Sequence, residues 1–281
     1  MLFIKIYAKI YQIIHEIFSF NIPGLGFLYR RLKKNMVLNV KNKKLYFNSK
    51  ISDNYGMLVN NTFNEKETHF FLDYVFNEAN INNFHFVDIG GNIGEFVLDY
   101  SDHPNVKNIT VFEPQPEQSF SIEQTIALNN FKKTNLIKRP VSSKVEEILF
   151  NFNETNSTAS GITNDINVGT RLTATTIDNE FSVKDNYTYV FLIDTEGAEL
   201  SIINGGKNLI ENNKPLIIFE YNHVTCKHFT IDDVRNALGN NYCIYKLNKY
   251  GKLTNNLSNI WNLVALPNTK TFTYLNTLIT K

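Results

Sequence analysis

The feature that most constrains this chain is an apolar segment that ends in an acid and continues through a glycine-rich turn into a helical pattern. The sequence from 85 to 97 is HFVDIGGNIGEFV. Gly90, Gly91 and Gly94 have no Cβ atom, so the backbone can turn sharply there and let a ligand approach closely. Such a turn presents free backbone N–H groups and a helix N-terminus. The segment therefore predicts a buried strand, a ligand-binding turn and a helix.

The spacing of the turn residues narrows the class of ligand. Dinucleotide-binding folds use G-x-G-x-x-G, whereas this turn reads D-x-G-x-N-x-G, with Asn92 where a second glycine would stand. An anionic Asp88 beside the turn suits a ligand with a cationic end better than it suits a pyrophosphate. S-adenosylmethionine carries an α-ammonium group and a sulfonium, so we expect it to be the ligand.

A second acid stands where a doubly wound fold places a carboxylate on the ribose. Glu113 ends the apolar segment 108–113 and lies about 20 residues past the glycine turn, as such folds require. A carboxylate can accept hydrogen bonds from both ribose hydroxyls. The alternative is a strand-capping Asp88 and an unrelated Glu113 before the turn at Pro114. The positions of both acids at the ends of apolar strands favour the donor site.

Four motifs together resemble the FkbM-type methyltransferases. They are VDIGGNIGE at 87–95, FEPQP at 112–116, IDTEGAE at 193–199 and IIFE at 217–220. The resemblance covers roughly residues 60 to 225. It implies a class I methyltransferase fold, S-adenosylmethionine as the methyl donor, and usually O-methylation, often of sugars. The chain departs from the family at Leu192, where a lysine usually precedes the Ile-Asp pair, so any charge role at that position is in doubt.

The expected donor-binding residues lie at or near the ends of three predicted strands. In doubly wound sheets, ligands bind beyond the carboxyl ends of the strands. The predicted donor-binding residues are Asp88, Gly90, Gly91, Asn92, Gly94, Glu113, Pro114 and Ser142. The acids that end the remaining strands are then expected on the acceptor side.

The acceptor side is expected to supply a base. Methyl transfer requires that the acceptor oxygen is aligned and loses its proton. We expect Asp194 or His223 to act as the base, since a histidine titrates near neutral pH. Glu196 and Glu220 are expected to bind or polarise sugar hydroxyls. The alternatives are that Asp194 is an ordinary turn acid and that His223 belongs to a surface loop.

A metal-assisted variant uses the same strand ends. Asp194, Glu220 and Asn222 offer oxygen ligands that suit Mg²⁺. This variant rests on analogy with other sugar and catechol methyltransferases, and the favoured expectation is a site without metal.

The order of patterns along the chain predicts the fold. From His85 onward, strand and helix patterns alternate, which predicts an α/β fold with helices on both faces of a parallel sheet. The resemblance implies that this is the class I methyltransferase (Rossmann-like) fold, with a mostly parallel seven-stranded sheet. The predicted strands are 84–88, 108–113, 135–141, 189–194, 215–220, 242–247 and 262–267, and the predicted helices are 94–101, 116–130, 198–211 and 230–238. The last two strands, joined by a turn-rich stretch, predict a final antiparallel hairpin.

One connection is too long to be a plain loop. Residues 142–188 exceed the usual length of a connection, and 147–152 and 171–175 have the pattern of extra strands. Between them, the polar stretch 156–161 suits either hydrogen bonding to a sugar or an ordinary surface turn.

Residues 1–80 are predicted to form an extension before a methyltransferase domain at 81–281. Apolar residues in 1–20 repeat at helical spacing, but charges interrupt them, so a helix packed on its own domain or on a second subunit of a homodimer is expected. The alternative is an interfacial membrane anchor, helped by the basic run 30–34. A hairpin at 36–40 and 45–48 follows.

A cover helix completes the predicted extension. Thr62 to Glu65 have the spacing of a capping box, and a helical pattern runs from 65 to 76. The residues predicted to face inward are Phe70, Phe71, Tyr74 and Val75.

Composition excludes several classes of partner. The net charge is +1, which gives no electrostatic case for nucleic acid. Cys226 and Cys243 are the only cysteines, so neither a disulfide scaffold nor a C-x-x-C zinc site is expected. Residues 1–20 lack a small-residue cleavage site, which disfavours a signal peptide. These observations predict a soluble cytoplasmic protein with no stable membrane insertion. The sugar or glycan acceptor is what the family resemblance implies.

Two other functions remain open at this stage. A Rossmann oxidoreductase that uses NAD(P) is disfavoured by the missing G-x-G-x-x-G. A catalytically silent module that binds the donor or a partner is left open by Leu192.

Overall fold

The core of the structure is one mixed sheet whose strands come from most of the chain. The computed structural model describes residues 35–51, 65–152, 160–163, 165–258 and 262–280. The strands in these ranges are β1 (Met36–Val40), β2 (Lys43–Phe47), β3 (Phe84–Ile89), β4 (Val106–Phe112), β5 (Thr134–Ile137), β6 (Glu147–Asn151), β7 (Gly161–Ile162), β8 (Gly169–Thr173), β9 (Thr188–Ile193), β10 (Leu216–Glu220), β11 (Tyr242–Leu247), β12 (Leu253–Thr254), β13 (Asn262–Pro267) and β14 (Ile279–Thr280).

The main sheet confirms the predicted class of fold. Its strand order is β14-β12-β11-β13-β10-β9-β3-β4-β5. The five strands from β10 to β5 pair in parallel. Strand β13 lies antiparallel between β10 and β11, which confirms the predicted final hairpin. Two strands of two residues each, β12 and β14, extend the predicted seven strands at one edge.

The central strands are apolar because helices cover both faces of the sheet. Every residue of β3, β10 and β13 is buried. Strands of a parallel sheet that are covered on both faces have near-continuous apolar runs instead of alternating ones. The strand predicted at 135–141 is shorter in the structure, where β5 ends at Ile137. Pro140 disfavours a longer strand because it has no N–H to donate to a neighbouring strand.

Four of the helices in the described ranges lie close to predicted positions, the predicted helix 198–211 is divided, and the short helix Ile177–Glu180 was not predicted. The helices are α1 (Lys66–Glu78), α2 (Glu95–Tyr100), α3 (Pro116–Asn129), α4 (Ile177–Glu180), α5 (Glu199–Asn204), α6 (Lys207–Asn213) and α7 (Ile231–Leu238). The predicted helix 198–211 is divided into α5 and α6 at Gly205 and Gly206. A Cβ atom on Gly205 would lie 2.2 Å from the carbonyl oxygen of Ser142. The break therefore lets the chain pass against that segment.

Helix α1 packs into the same core as the sheet. Phe71, Val75 and Phe76 are fully buried there, together with Phe84 of β3. The prediction that Phe70 faces inward is wrong, because its side chain is 52% exposed. The predicted domain boundary between residues 80 and 81 stays a prediction. Helix α1 lies before this boundary, and it packs in the same core as strands that lie after it.

The β1–β2 hairpin covers helix α3. Its turn residues Lys41 and Asn42 have φ angles of 48° and 67°, the left-handed conformation of the tightest hairpin turns. The backbone N–H of Tyr46 donates to the hydroxyl of Thr125 at 3.0 Å. Strand β2 begins two residues earlier than predicted, because the turn needs only two residues.

The long connection forms a small antiparallel sheet of its own. Its strand order is β7-β6-β8, and we call these three strands the flap. Strands β6 and β8 confirm the two extra strands that were predicted, and β7 was not predicted.

Several predictions fall on residues outside the described ranges. They are the helix 1–20, the basic run 30–34, Thr62 of the capping box and most of the polar stretch 156–161. Among the residues that are described, no helix has the length and apolar character needed to cross a membrane.

Two adjacent phenylalanines on α1 give a direct test of this packing. Phe71→Ala leaves a cavity in the core and is expected to lower the free energy of unfolding by about 3–5 kcal/mol. Phe70→Ala removes a half-exposed ring and is expected to change it by about 0.5 kcal/mol or less. Urea unfolding of both variants measures the difference. Equal losses would contradict the observed orientation of α1.

Candidate functional site

A cavity lies where the parallel strands end. Its volume is about 440 Å³. Asp88, Glu113, Asp194 and Glu220, at the carboxyl ends of β3, β4, β9 and β10, all line it. The carboxyl edge of the sheet, where ligand binding was predicted, therefore brings the four acids into one cavity.

The glycine turn after β3 is held by close packing against neighbouring strands. Gly90 has φ +97°, and a Cβ there would lie 1.8 Å from the carbonyl oxygen of Asp194. A Cβ on Gly91 would lie 2.3 Å from the side chain of Val111. Asn92 follows in the left-handed conformation with φ 44°. The turn requires glycine because the backbones of β3 and β9 meet there.

Asp88 is placed to bind a cationic group. Its side chain is buried, and its Oδ2 has no hydrogen-bond partner among the described residues. Burial, reinforced by the charges of Glu95 and Glu65, holds the pKa of Asp88 well above its usual value. A buried carboxylate oxygen without a partner is costly unless a ligand satisfies it. This fits the α-ammonium group of S-adenosylmethionine.

Glu113 ties the glycine turn to the next strand. Its two oxygens accept from the backbone N–H groups of Asn92 at 2.8 Å and Gln115 at 2.9 Å. Burial raises the pKa of Glu113 to about 7, although these two hydrogen bonds lower it. Each carboxylate oxygen has a second lone pair, so ribose hydroxyls can still donate to it. Pro114 also lines the cavity.

Two residues of the predicted donor set do not line the cavity. Gly94 has φ +80° and precedes α2, and its N–H donates to the carbonyl of Gly91 at 2.7 Å. It shapes the turn without facing the cavity. Ser142 is buried beside Ser201, with 3.3 Å between the two hydroxyl oxygens. The structure does not support a donor contact for Ser142, because the chain bends away after β5.

Three carboxylates converge in the cavity near the ends of β9 and β10. Oxygens of Asp194, Glu196 and Glu220 lie within 4.8 Å of one another. Burial, followed by the charge of Glu65, holds the pKa of Asp194 well above its usual value. Burial and the charge of Glu196 raise the pKa of Glu220 to about 8. We call these three residues the acidic triad.

Glu65 is a fourth acid beside the triad, and the sequence did not reveal it. Its Oε2 accepts from Asn262 at 3.1 Å and from Thr68 at 3.2 Å. It also hydrogen-bonds with Asp194, and burial raises its pKa to about 7. The pattern suggested a capping residue, but α1 begins at Lys66, and Glu65 instead points into the cavity. Only the position of α1 over the sheet places it there.

A buried glutamate fixes the loop that presents Glu196. Oε1 of Glu199 accepts from the N–H and the hydroxyl of Thr195, at 2.9 and 3.0 Å, and from the N–H of Gly197 at 3.2 Å. Glu196 has φ 58° and Gly197 has φ +120°. A left-handed backbone at a non-glycine residue is sparsely populated. Glu199 therefore holds a strained turn in place.

His223 is separated from this cavity. It is exposed, and it does not line the cavity. Strand β10 ends at Glu220, and the chain then turns towards a 3-10 segment at Thr225–Lys227. The structure therefore does not support His223 as the base, because the turn after β10 carries it away from the strand end.

Asn222 supports Glu220 and does not face the cavity. Its Nδ2 donates to Glu220 Oε1 at 2.5 Å, and its Oδ1 accepts from the N–H groups of Val224 and Thr225 at 2.6 and 3.0 Å. Both ends of the amide are engaged within the turn. Asn222 is therefore poorly placed to act as the metal ligand of the metal-assisted variant.

Positive charge is scarce around the cavity. Arg139 is the only basic side chain that lines it within the described ranges. Its guanidinium forms an ion pair with Glu180 at 2.6 Å. Leu192 is buried on β9 and lines the cavity where the resembled family has a lysine. Among the described residues, the cavity wall therefore supplies little positive charge to the acids.

The sheet topology and the acid-lined cavity at its switch point define an S-adenosylmethionine-dependent methyltransferase. A model of the family described as the Methyltransferase FkbM domain matches residues 88–247, more than half of the chain. The chain belongs to the FkbM methyltransferase family. This family match confirms the predicted resemblance and sets aside the NAD(P) oxidoreductase alternative.

Several solved structures are similar to this chain. Methyltransferase FkbM from Methylobacillus flagellatus KT is 15% identical, with 76% of this chain and 54% of that one covered, at a TM-score of 0.46. TYW2 from M. jannaschii in complex with AdoMet is 10% identical, with 83% of this chain and 84% of that one covered, at a TM-score of 0.45. The N-methyltransferase NodS from Bradyrhizobium japonicum WM9 is 11% identical, with 72% of this chain and 92% of that one covered, at a TM-score of 0.40. This chain thus spans about half the length of the first relative. No curated protein sequence matched.

The buried acids predict how stability depends on pH. A carboxyl whose pKa is higher in the folded than in the unfolded protein stabilises the fold while protonated. For Glu220 this contribution is complete below about 4.5 and is lost as the pH rises through about 8. The ligand-free protein is therefore expected to melt at a lower temperature as the pH rises from 5 to 8.

Glu220→Gln is expected to weaken this dependence, because the amide cannot ionise and keeps an oxygen for Asn222. Glu147→Gln, at an exposed position of β6, is the matched control and should leave it unchanged. Thermal melts across this pH range measure both variants. A wild-type melting temperature that rises with pH would contradict the burial of these acids.

Proposed function

We propose that this protein transfers a methyl group from S-adenosylmethionine to a sugar hydroxyl, in the biosynthesis of a glycan or a nucleotide sugar. One observation carries the proposal: a single cavity holds an acid pair suited to the donor and an acidic triad suited to hydroxyl groups. The family's usual O-methylation of sugars supports the same assignment.

The donor is assigned to the side of the cavity formed by β3 and β4. Asp88 accepts from the α-ammonium group, and Glu113 accepts from the ribose hydroxyls. Gly90, Gly91 and Asn92 let the backbone approach the donor. When bound, the donor supplies an activated methyl group on its sulfonium. The protein must then align an acceptor oxygen with it and remove a proton.

The acceptor is assigned to the side formed by β9, β10 and the flap. Carboxylates accept hydrogen bonds from sugar hydroxyls, and the acidic triad offers several. Phe150 and Ile162 of the flap line the same cavity and suit the apolar face of a sugar ring. Asp194 is the proposed base, because a carboxylate with a raised pKa takes a proton more readily when it is ionised.

The cytoplasmic location and the homodimer stay predictions. The donor is a soluble metabolite, which supports the first. The apolar repeat at 1–20 supports the second, with peripheral membrane association as its alternative. A sedimentation measurement with and without that segment separates these outcomes.

Donor binding tests the first half of the proposal. S-adenosylhomocysteine is expected to raise the melting temperature of the wild-type protein, whereas NAD should not. Asp88→Asn removes a charge-assisted hydrogen bond and should weaken binding by about tenfold or more. Asp232→Asn, at a site where the side chain is 79% exposed, is the control. Calorimetry gives the affinities, and undiminished binding by Asp88→Asn would contradict the assignment.

Methyl transfer tests the second half. The protein is incubated with S-adenosylmethionine and a panel of nucleotide sugars and cell-surface glycans, and mass spectrometry detects the added methyl group. Asp194→Asn is expected to retain donor binding and to lose turnover by about 10²-fold or more, since it removes the proposed base. Donor binding without turnover on the whole panel would favour the silent-module alternative.

A further inference from the structure

The acidic triad has the geometry of a cation site. Its three oxygens come from the end of β9, the following loop and the end of β10, and all lie within 4.8 Å of one another. Ligands of a single Ca²⁺ ion lie about 2.3–2.6 Å from it, so opposite ligands are about 4.6–5.2 Å apart. Three oxygens that lie within 4.8 Å of one another are at most about 2.8 Å from a common centre, so a shift of a few tenths of an ångström brings them to Ca²⁺ coordination distances. Mg²⁺, with ligands at about 2.1 Å, requires a larger inward shift.

A second observation points to a ligand at this place. Glu220 is 5% exposed, and its Oε2 is buried without a hydrogen-bond partner in the described part of the chain. Its other oxygen accepts from Asn222 at 2.5 Å, which fixes the carboxylate. Asn222 is held in turn by two backbone N–H groups. Glu220, which lines the cavity, thus has one oxygen fixed by Asn222 and another that no described residue satisfies.

The triad is also rigidly supported from its other side. Glu199 holds the strained turn that presents Glu196 through three hydrogen bonds. The backbone carbonyl of Asp194 packs against Gly90. Strain that the surrounding structure maintains is typical of functional sites. A metal site needs such a preorganised set of ligands with supporting hydrogen bonds.

The described part of the cavity wall offers little positive charge to the triad. Arg139, the one basic residue found on the cavity wall in the described ranges, is paired with Glu180. Leu192 places an apolar side chain on the neighbouring wall. Ionised carboxylates this close together repel one another, and a bound cation offsets that repulsion.

We propose that Asp194, Glu196 and Glu220 bind one divalent cation of the oxygen-preferring class, of which Ca²⁺, Mn²⁺ and Mg²⁺ are the probes. This site differs from the earlier expectation in its third ligand, which is Glu196 and not Asn222. Carboxylates and water are ligands that these hard cations prefer.

For the reaction, a bound cation would make Asp194 a ligand in place of a base. Asp194, Glu196 and Glu220 would hold it, and it would stabilise the negative charge that develops on the acceptor oxygen. This consequence rests on the proposed function, whereas cation binding itself does not. Glu65, which hydrogen-bonds with Asp194, would then be the carboxylate that takes the proton.

The test measures cation binding on the full chain without donor or acceptor. After treatment with a chelator, the protein is titrated with each probe cation by calorimetry near pH 8, and melting temperatures are recorded in parallel. Wild-type protein is expected to release or absorb heat with one-to-one stoichiometry and to melt higher with cation. Glu196→Gln should weaken binding by about tenfold or more, since outer-shell changes alone cost that much.

A matched control separates a site from general attraction. Glu67 lines the same cavity outside the triad, so Glu67→Gln removes one negative charge from the same cavity and should keep the affinity. Glu196→Gln is also expected to melt higher than wild type without cation, because it relieves repulsion in the triad. This second readout shows that the variant is folded.

Three outcomes would overturn the proposal. They are no heat with any probe cation, equal affinity in wild type and Glu196→Gln, or stabilisation by methylammonium but not by divalent cations. The last result would assign the triad to a cationic acceptor. S-adenosylhomocysteine is titrated in a separate experiment. Donor binding without cation binding would refute this inference and leave the methyltransferase function intact. Cation binding without donor binding would support this inference and contradict the methyltransferase function.

Discussion

The constraint on which the site depends is the burial of several carboxylates in one cavity. Removing a charge from water costs much more than one hydrogen bond returns. Asp88, Glu113, Asp194 and Glu220 nevertheless meet at the carboxyl edge of the sheet, because parallel strands all end on that side. The fold tolerates them by three means: backbone N–H groups on Glu113, raised pKa values, and space for a positively charged ligand. Binding of the proposed cationic donor thus offsets part of the free-energy cost of burying these carboxylates.

One buried histidine contributes charge from behind the cavity. Nδ1 of His69, on α1, lies 3.0 Å from Asp99, and its ring stacks on Phe96 at 4.4 Å. Burial lowers the pKa of His69, but hydrogen bonds to Asp99 and Glu95 outweigh it and raise the pKa to about 9. Lys41 of the hairpin reaches the same Asp99 at 2.8 Å. A positively charged His69 stabilises the folded state below about pH 6.5 most fully, and this stabilisation fades as the pH approaches 9.

Donor and acceptor sides are joined by backbone packing and not only by a shared cavity. The carbonyl of Asp194 occupies the space that a side chain on Gly90 would fill, and the N–H of Asp194 donates to the carbonyl of Ile89 at 2.9 Å. The turn that binds the donor therefore fixes the strand end that presents the acidic triad. A Cβ atom on residue 90 would lie only 1.8 Å from that carbonyl oxygen, which explains why glycine is required there. Under the proposed function, β3 and β9 therefore set the relative position of donor and acceptor.

The sequence by itself determined the sheet, the glycine turn and the four acids at strand ends. These features follow from local rules: apolar runs for covered strands, glycine where φ is positive, and an acid where a strand meets the cavity. Only the tertiary structure decided which side chains meet. It placed Glu65 in the cavity, turned His223 and Asn222 away, assigned Glu196 to the triad and left Phe70 in solvent. Those positions depend on the path of loops and the rotation of α1, which are set by contacts between residues far apart in the chain.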